Sequence, residues 1–368
     1  MSAEAEGIDL DHVYEVAEFQ KLAEERMPDV VRSFVNCDGG GITLRQNVEA
    51  WQQWSLRNRA LVDVSALDTA TTVLGDPVAL PVLIAPFCCS TFCHPDAELG
   101  LAVASARART VFTLSMAATR TPEEIGSAAG RFWMQLYWPK DRGVLKDVVH
   151  RAAAAGATAL CLTVDLPVTP SFPPGMRRAA ASLAPQSSTG EHASFVSRDY
   201  GQRFGVDTVI DPRISWKDLE WLAGLTSLPL VLKGVTTATD ARLAAEHGAA
   251  GVIVSNHGGH GLDRSVATAD VLSDVVEGAD GRIEVFVDGG IRTGTDVLCA
   301  LALGARAVLV GRPAMWGLTI GGADGATRVL TVLREELGVA MAVTGATRIS
   351  EISPAILRSR WPERLDLA

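Results

Sequence analysis

Two histidines lie three residues apart in the stretch SNHGGHGLD, which runs from Ser255 to Asp263 directly after the apolar run GVIV. Histidine is the side chain whose ordinary pKa lets it take up and release a proton near neutral pH. Because His257 stands where a buried strand would end, it is a candidate general base. His260 follows a pair of glycines, and residue type alone gives it no role.

Polar side chains also follow most of the other short apolar runs in the chain. In order, the runs end near Pro86, Ser115, Gln135 with Tyr137, Thr163 with Asp165, Lys233, Ser255 with His257, Asp288 with Gly290, and Gly311 with Arg312. Any one of these groups could be a solvated loop residue or a helix cap. Their joint occurrence at nearly every strand end is hard to obtain by chance, so it indicates one site built from several strands.

The elements that must position these groups are eight short strands. The apolar runs that predict them span residues 81–86, 110–115, 132–137, 159–165, 228–234, 251–256, 284–290 and 307–312. Helix-like segments with Thr, Ser or Asp at their start lie between most of them. Three of these segments close on Gly-Ala, at Gly156, Gly248 and Gly304, where glycine is the expected helix terminator.

Alternating strands and helices, with nearly continuous apolar strands, predict a parallel sheet covered by helices. The α/β fold we expect is a closed (β/α)8 TIM barrel, in which catalytic groups gather at the carboxyl ends of the strands. An open doubly wound sheet is the alternative, and it is less favoured because no GxGxxG follows the first strand.

The flanking regions predict two further features. Residues 1–80 are expected to be an N-terminal helical segment, with Trp51 and Trp54 packing against a barrel formed by residues 81–368. Residues 167–204 are rich in Pro, Ser and Ala and follow the fourth strand, where a long loop is typical of a functional lid. We therefore expect a mobile lid over the barrel mouth.

A phosphate site is predicted after the last two strands. The strings DGGIRTG and VGRP place glycines and backbone N–H groups before helices there, and Arg292 and Arg312 can supply charge. The phosphorylated ligand could be a cofactor or a substrate. If it is flavin mononucleotide (FMN), Lys233 could stabilise the reduced ring near N1, and Asp165 could orient His257.

Composition excludes several classes of protein. The net charge of −10 argues against a nucleic-acid partner, and we find no apolar run long enough for a membrane helix. The acidic N-terminus does not resemble a signal peptide, so we expect a cytoplasmic protein. The six cysteines are expected to be reduced, and the cluster Cys88, Cys89, Cys93 and His94 matches no zinc spacing, so we expect no metal site.

Several long strings resemble one family over residues 80–317. They are IAP, HPD, QLYWPKDR, LTVDLP, SWKDLEWL, LVLKGV, HGAAGVIVSNHGG, VFVDGGIRTGTDVLCALALGA and VGRP. The chain thus resembles the FMN-dependent 2-hydroxy acid oxidases and dehydrogenases, which include glycolate oxidase, lactate oxidase and mandelate dehydrogenase. The resemblance implies oxidation of a small-molecule substrate, with oxygen or another compound as final electron acceptor, by a homotetramer.

The resemblance also implies the roles of individual residues. His257 would remove a proton as the substrate is oxidised, paired with Asp165, while Lys233 would stand at flavin N1 and Tyr137 would face the substrate. The FMN would be bound by Pro86, Ser115, Gln135, Thr163, Lys233, Ser255, Asp288, Gly290, Arg292, Gly311 and Arg312.

The substrate side departs from the family pattern. His260 stands where the family has an arginine that binds the substrate carboxylate, and Phe34 stands where it has a tyrosine. The second arginine aligns with Phe172 unless an insertion brings Arg177 or Arg178 to that position. Because a hydrogen bond to a charged group contributes about 1.5–3 kcal/mol, we expect small 2-hydroxy acids to be poor substrates.

Aromatic side chains near the expected pocket favour a bulky or aromatic substrate, as in specialised metabolism; they are Phe34, Phe87, Trp138 and Phe172. A monooxygenase or oxidative decarboxylase on the same scaffold is an alternative. A catalytically inactive flavin-binding protein is a further one, and the intact set of His257, Asp165, Lys233 and Tyr137 argues against it. A phosphate-binding barrel with another ligand is the most distant interpretation.

Overall fold

The structure is a computed structural model that describes residues 8–36, 41–88, 90–168, 177–179, 181–183, 192–200 and 210–360. It begins with the N-terminal segment. Its helices are α1 (Val16–Arg26), α2 (Asp29–Val35) and α3 (Ile42–Trp51). Short strands follow at β1 (Trp54–Leu56), β2 (Thr71–Val73) and β3 (Asp76–Val78), and β2 pairs antiparallel with β3. The sequence did not predict these three strands.

Eight parallel strands form a closed barrel, which confirms the predicted fold. They are β4 (Val82–Ile84), β5 (Phe112–Ser115), β6 (Phe132–Leu136), β7 (Ala157–Thr163), β8 (Leu230–Val235), β9 (Gly251–Val254), β10 (Glu284–Val287) and β11 (Ala307–Val310). Pairing of β11 with β4 closes the ring. Each strand lies within or close to one of the eight apolar runs, so continuous apolar character identified them correctly.

Helices surround the barrel. They are α4 (Ala97–Ala108), α5 (Pro122–Ala129), α6 (Arg142–Ala154), α7 (Phe195–Tyr200), α8 (Asp218–Ala223), α9 (Ala238–Glu246), α10 (Thr268–Ala279), α11 (Gly294–Ala302) and α12 (Arg312–Thr344). Side-chain caps begin several of them: Thr121 and Thr293 each form a capping box, with Glu124 and Asp296. A final strand, β12 (Leu357–Ser359), pairs with β1.

The closing region of the chain follows the last barrel strand, β11, almost directly. It is one element, α12, that already begins at Arg312 and is interrupted at Gly321 and Gly322. Gly322 has a φ of 55°, and a Cβ there would lie 2.3 Å from a carboxylate oxygen of Asp96. Since only glycine fits this close approach, α12 can bend over α4 at that point.

Alternate residues of the strands fill the barrel interior. Leu83, Trp133, Val231, Ile253 and Phe286 are fully buried in one inner cluster, which also contains Val73 and Val78 of the β2–β3 hairpin. Trp133 and Phe286 meet edge to face with centroids 5.3 Å apart. The hairpin and these large side chains therefore close one end of the barrel, and the opposite end remains for a site.

The predicted division at residue 80 and the predicted lid over 167–204 stay predictions. Most of that lid lies outside the described residues, although its last part forms α7, where Phe195 is buried and donates its backbone N–H to Ala118. Within the described residues, no helix has the length and apolar character needed to span a bilayer.

Candidate active site

The site lies one step beyond the apolar layer of the barrel. Side chains of a strand alternate between its two faces, so the inward positions continue two residues later. Trp133 is thus followed by Gln135, Val231 by Lys233, and Phe286 by Asp288. Where the interior stops being apolar, the same strands present polar groups at the carboxyl end of the barrel.

These groups surround one cavity at the carboxyl end of the barrel. Fourteen predicted site residues line it: Phe34, Pro86, Ser115, Gln135, Tyr137, Thr163, Lys233, His257, His260, Asp288, Gly290, Arg292, Gly311 and Arg312. Asp165 and Ser255 lie behind this lining and contact His257 and Lys233. The structure therefore brings most of the predicted set together.

His257 is paired with Asp165. Its Nδ1 lies 3.1 Å from a carboxylate oxygen of Asp165, and the backbone N–H of His257 donates to the hydroxyl of Ser255. Burial raises the pKa of Asp165, but its hydrogen bond and electrostatic interaction with His257 and the charge of Lys233 outweigh burial and leave that pKa below its ordinary value. Because an ionised carboxylate only accepts, Nδ1 carries a proton and Nε2 is the nitrogen available as a base.

Gly234 makes room for this carboxylate. Its φ is 110°, and a Cβ there would lie 2.4 Å from the Asp165 side chain. Gly234 was not predicted to be part of the site. Its position directly after Lys233 at a strand end could have indicated a close contact there.

Lys233 is buried and charged. Its Nζ lies 3.0 Å from Asp288 and donates to the hydroxyl of Ser255 at 2.7 Å. Burial alone would lower the pKa of Lys233, but the carboxylates of Asp288 and Asp165 raise it above its ordinary value. The other carboxylate oxygen of Asp288 is buried without a hydrogen-bond partner among the described residues. A buried acceptor of this kind fits a ligand hydroxyl or N–H.

Three side chains form a polar edge on neighbouring strands. The hydroxyl of Ser115 donates to Oε1 of Gln135 at 3.0 Å, and Nε2 of Gln135 donates to the hydroxyl of Thr163 at 2.9 Å. The backbone N–H of Met116 also donates to Gln135. The chain of bonds fixes the orientation of the Gln135 amide, so this edge offers donors and acceptors in fixed places.

The opposite side of the cavity is built for an anion. Arg292 is half-buried over the ring of Trp316, with 5.0 Å from its guanidinium carbon to the ring centroid. Desolvation and the neighbouring Arg312 lower the pKa of Arg292 to about 9. The two neighbouring guanidinium groups repel each other, so a phosphate between them would relieve the repulsion. The donor set and the free acceptor of Asp288 fit the phosphate and ribityl parts of FMN.

Gly290 packs tightly against the N-terminal segment. A Cβ there would lie 1.9 Å from the backbone oxygen of Asn47, and φ is 83°. We expect Gly290→Ala to lower the free energy of unfolding by about 1–3 kcal/mol more than Gly248→Ala, which has a φ of 79° and open space around it. Urea unfolding of both variants measures this difference, and equal losses would show that the close approach has no energetic consequence.

Helix α3 supports the site from outside the barrel. The amides of Asn47 and Asn256 exchange two hydrogen bonds of 2.9 and 2.7 Å, and Trp51 donates its indole N–H to the backbone oxygen of Gly289. These bonds connect α3 to the loops that carry His257 and Gly290. Neither Asn47 nor Asn256 was predicted to support the site. Only Asn256 could have been found from the sequence, because it adjoins His257.

His260 lines the cavity beside two phenyl rings. Its ring centroid is 6.1 Å from that of Phe34 and 6.2 Å from that of Phe87. Its Nε2 is 2.8 Å from Nη2 of Arg312. Tyr137 lines the same cavity, and burial raises the pKa of its hydroxyl, so that hydroxyl keeps its proton.

Other predicted contacts are not part of this lining. Phe172 lies outside the described residues, while Arg177 and Arg178 are exposed and are not among the residues around the cavity. Trp138 was expected beside the pocket, but it is not among the residues that line this cavity. Its buried ring packs against Trp221 and Arg142 on the outer side, because Trp138 continues the outward face of β6 that Met134 and Leu136 share.

The cysteine cluster does not form a metal centre within the described residues, where no three His, Cys, Asp or Glu side chains are placed to share an ion. Cys88 lines the cavity, and burial raises the pKa of the Cys93 thiol to about 12.

Fold and site together define a (β/α)8-barrel enzyme that binds a phosphorylated cofactor at its mouth. The profile of the family described as FMN-dependent dehydrogenase matches residues 23–359, and the chain belongs to this family. It is therefore an FMN-dependent oxidoreductase.

Individual relatives agree with this assignment. The chain is 40% identical to the L-lactate oxidase of Nostoc sp. over 92% of its length and 96% of that protein. It is 41% identical to glycolate oxidase 3 of Arabidopsis thaliana, over 94% of this chain and 96% of that protein. A solved structure of mandelate oxidase with (S)-2-phenylpropionate superposes with a TM-score of 0.83 at 34% identity, over 94% of this chain and 98% of that one.

Proposed function

We propose that this protein oxidises the CH–OH group of a 2-hydroxy acid, or of a related α-hydroxy carbonyl compound, to the 2-oxo product. The observation that carries the proposal is that the His257–Asp165 pair faces the same cavity as the buried Lys233 and the two arginines. Relatives named for the oxidation of lactate, glycolate and mandelate support it. Oxygen or another compound takes the electrons from the flavin.

Different residues of the cavity are proposed to bind the cofactor and to act on the substrate. FMN, when bound, supplies a two-electron acceptor. Its phosphate would be held by Arg292, Arg312 and the backbone around Gly290 and Gly311, and Asp288 would receive a ribityl hydroxyl through its free oxygen. The ring would lie between Pro86, the edge formed by Ser115, Gln135 and Thr163, and the ammonium of Lys233, which favours negative charge on the ring.

His257 would act as the base. Its Nε2 is free to accept a proton because Asp165 holds Nδ1, and the carboxylate stabilises the imidazolium that forms. Tyr137 stays protonated in the same cavity and can donate a hydrogen bond to an oxygen of the substrate. The chain thus offers one proton acceptor and one proton donor on the substrate side.

The substrate is proposed to be bulky or aromatic. Phe34 and Phe87 line the cavity, and their rings flank His260, so apolar surface faces the group attached to the CH–OH carbon. Burial of a phenyl ring there contributes about 1.5–3 kcal/mol. Such a substrate suits an enzyme of specialised metabolism.

Anaerobic reduction of the bound flavin, followed near 450 nm, tests both parts of this proposal. We expect mandelate or its amide to reduce the flavin at least tenfold more efficiently than glycolate or lactate, because the smaller acids bury no ring. Similar efficiency for lactate and the aryl compounds would contradict the aromatic preference. Bound FMN that none of them reduces would contradict the oxidation itself.

We also propose, on the resemblance to the family, that the chain assembles as a homotetramer and works in the cytoplasm. Light scattering of the purified flavoprotein measures the mass of the assembly against the 38.9 kDa of one chain.

A further inference from the structure

Arg312 fixes the tautomer of His260. Nη2 of Arg312 lies 2.8 Å from Nε2 of His260, and the same guanidinium donates to the backbone oxygens of Val35 and Gly258. A guanidinium has donors only, so Nε2 must accept. The proton of the neutral ring is therefore on Nδ1, and His260 is held as an N–H donor in the cavity lining.

His260 carries no charge in this position. Burial lowers its pKa well below the ordinary value, and the charges of Arg312 and Lys233, together with the nearby His257, lower it further. The His260 ring also lies beside the phenyl rings of Phe34 and Phe87. This part of the cavity thus combines two apolar rings with one neutral donor.

The cations that line the cavity already have functions elsewhere in it. Lys233 forms an ion pair with Asp288 at 3.0 Å and is close to the charge of Asp165. Arg292 and Arg312 lie on the side where the proposed function places the phosphate, which carries a charge of about −1.5 to −2 when bound. With that phosphate present, the described residues of the cavity leave no net positive charge for a second anion.

From this geometry we propose that His260 makes the site selective for a neutral carbonyl group beside the CH–OH carbon, an amide or an ester, over a free carboxylate. The inference rests on the proposed function and names its substrate class. A carbonyl oxygen needs one hydrogen bond, which the Nδ1 proton of His260 can give. Among the described residues the nearest cation to a carboxylate there is Arg312, which already contacts His260 and faces the phosphate, so burying the carboxylate is more costly than burying a hydrogen-bonded carbonyl.

The reaction itself is unchanged by this choice. Oxidation of a 2-hydroxy amide breaks its C–H and O–H bonds and turns the C–O bond into a carbonyl, which gives the 2-oxo amide. The two electrons pass to the flavin of the proposed function. One of the two hydrogens passes with these electrons to the flavin, His257 can take the other as a proton, and the amide or ester bond is not broken.

Stopped-flow reduction of the flavin without oxygen tests the inference in the wild-type holoenzyme. (S)-Mandelate, (S)-mandelamide and methyl (S)-mandelate share one ring and one configuration and differ only in the acyl group, which is charged in the acid and neutral in the amide and the ester. We expect the amide and the ester to reduce the flavin with at least tenfold higher efficiency than the acid. Equal or faster reduction by the acid would overturn the inference while it supports the oxidation; no reduction by any of the three would overturn the proposed function and the inference with it.

Two substitutions separate the neutral donor from a structural role. His260→Arg adds a charged fork, and we expect the ratio of amide to acid efficiency to fall by about ten- to hundredfold. His260→Gln keeps a neutral N–H and should keep the preference for the amide. Because His260 contacts Arg312, FMN content is measured for each variant and rates are expressed per bound flavin. A ratio that is the same in wild type and His260→Arg would overturn the inference, since a structural role lowers both rates together.

Discussion

Replacement of His257 by asparagine is expected to slow anaerobic flavin reduction by about 10²- to 10⁴-fold, the range typical for loss of a general base. Nδ1 of His257 is bound to Asp165, so Nε2 is the proton acceptor of this pair. Asparagine has no such nitrogen, and the base is lost. Asparagine suits the test because His257 has a φ of 57°, a left-handed conformation that asparagine tolerates better than most residues. The measurement is the rate of bleaching at saturating substrate.

The control for this variant is His150→Asn, at an exposed position of α6. It removes a histidine of the same chemistry far from the barrel mouth, and the rate should stay within twofold of wild type. FMN content should be unchanged in both variants, because His257 lies on the substrate side of the cavity. A His257→Asn rate within tenfold of wild type would assign the base to another residue.

Replacement of Lys233 by methionine is expected to lower the free energy of unfolding by about 3–5 kcal/mol, the usual cost of breaking a buried ion pair from one side. The side chains of Lys233 and Asp288 are 5% and 9% exposed, so the carboxylate left behind cannot be solvated well. Urea unfolding of the FMN-free protein measures the loss. Reduction of the remaining flavin should also become slower, because the cation beside the ring is gone.

A double variant identifies the cause of that loss. Lys233→Met combined with Asp288→Asn removes both charges, so it should unfold at higher urea than Lys233→Met alone. Arg131→Met is the matched control at an exposed pair with Asp76, where the side chains are 50% and 31% exposed and the loss should be below about 1 kcal/mol. If the double variant is less stable than the single one, the unpaired charge of Asp288 is not the cause.

Much of this fold could be predicted from the sequence because a parallel barrel repeats one simple pattern. Its strands are buried on both faces, so each appears as an apolar run, and all eight runs contain or overlap a barrel strand. The same repetition predicted the site, since the residues just after those runs must meet at one end. Lys233 and Asp288 were predicted separately and form one ion pair.

The rest depends on contacts that no local pattern encodes. Asn47 lies in a helix without a strand signal, yet its amide meets Asn256 across 209 positions of sequence. Trp138 is a different case, because it continues the outward face of β6 that Met134 and Leu136 share, and its ring packs against Trp221. The alternation of the strand separates Tyr137, which lines the cavity, from Trp138, and the expectation for Trp138 did not take it into account.

The bond between Arg312 and Val35 has a consequence for synthesis of the chain. The two residues are 277 positions apart, so a ribosome has completed most of the protein before the second one emerges. Until then Val35 at the end of α2 lacks this partner, and α3 lacks Asn256 and Gly289 for most of the same time. Contacts of such long range also slow folding, because a large loop must close before they form. We therefore expect the cofactor pocket to be the last part of the molecule to mature, and folding yields in the cell to depend on chaperones more than those of a barrel without an N-terminal segment.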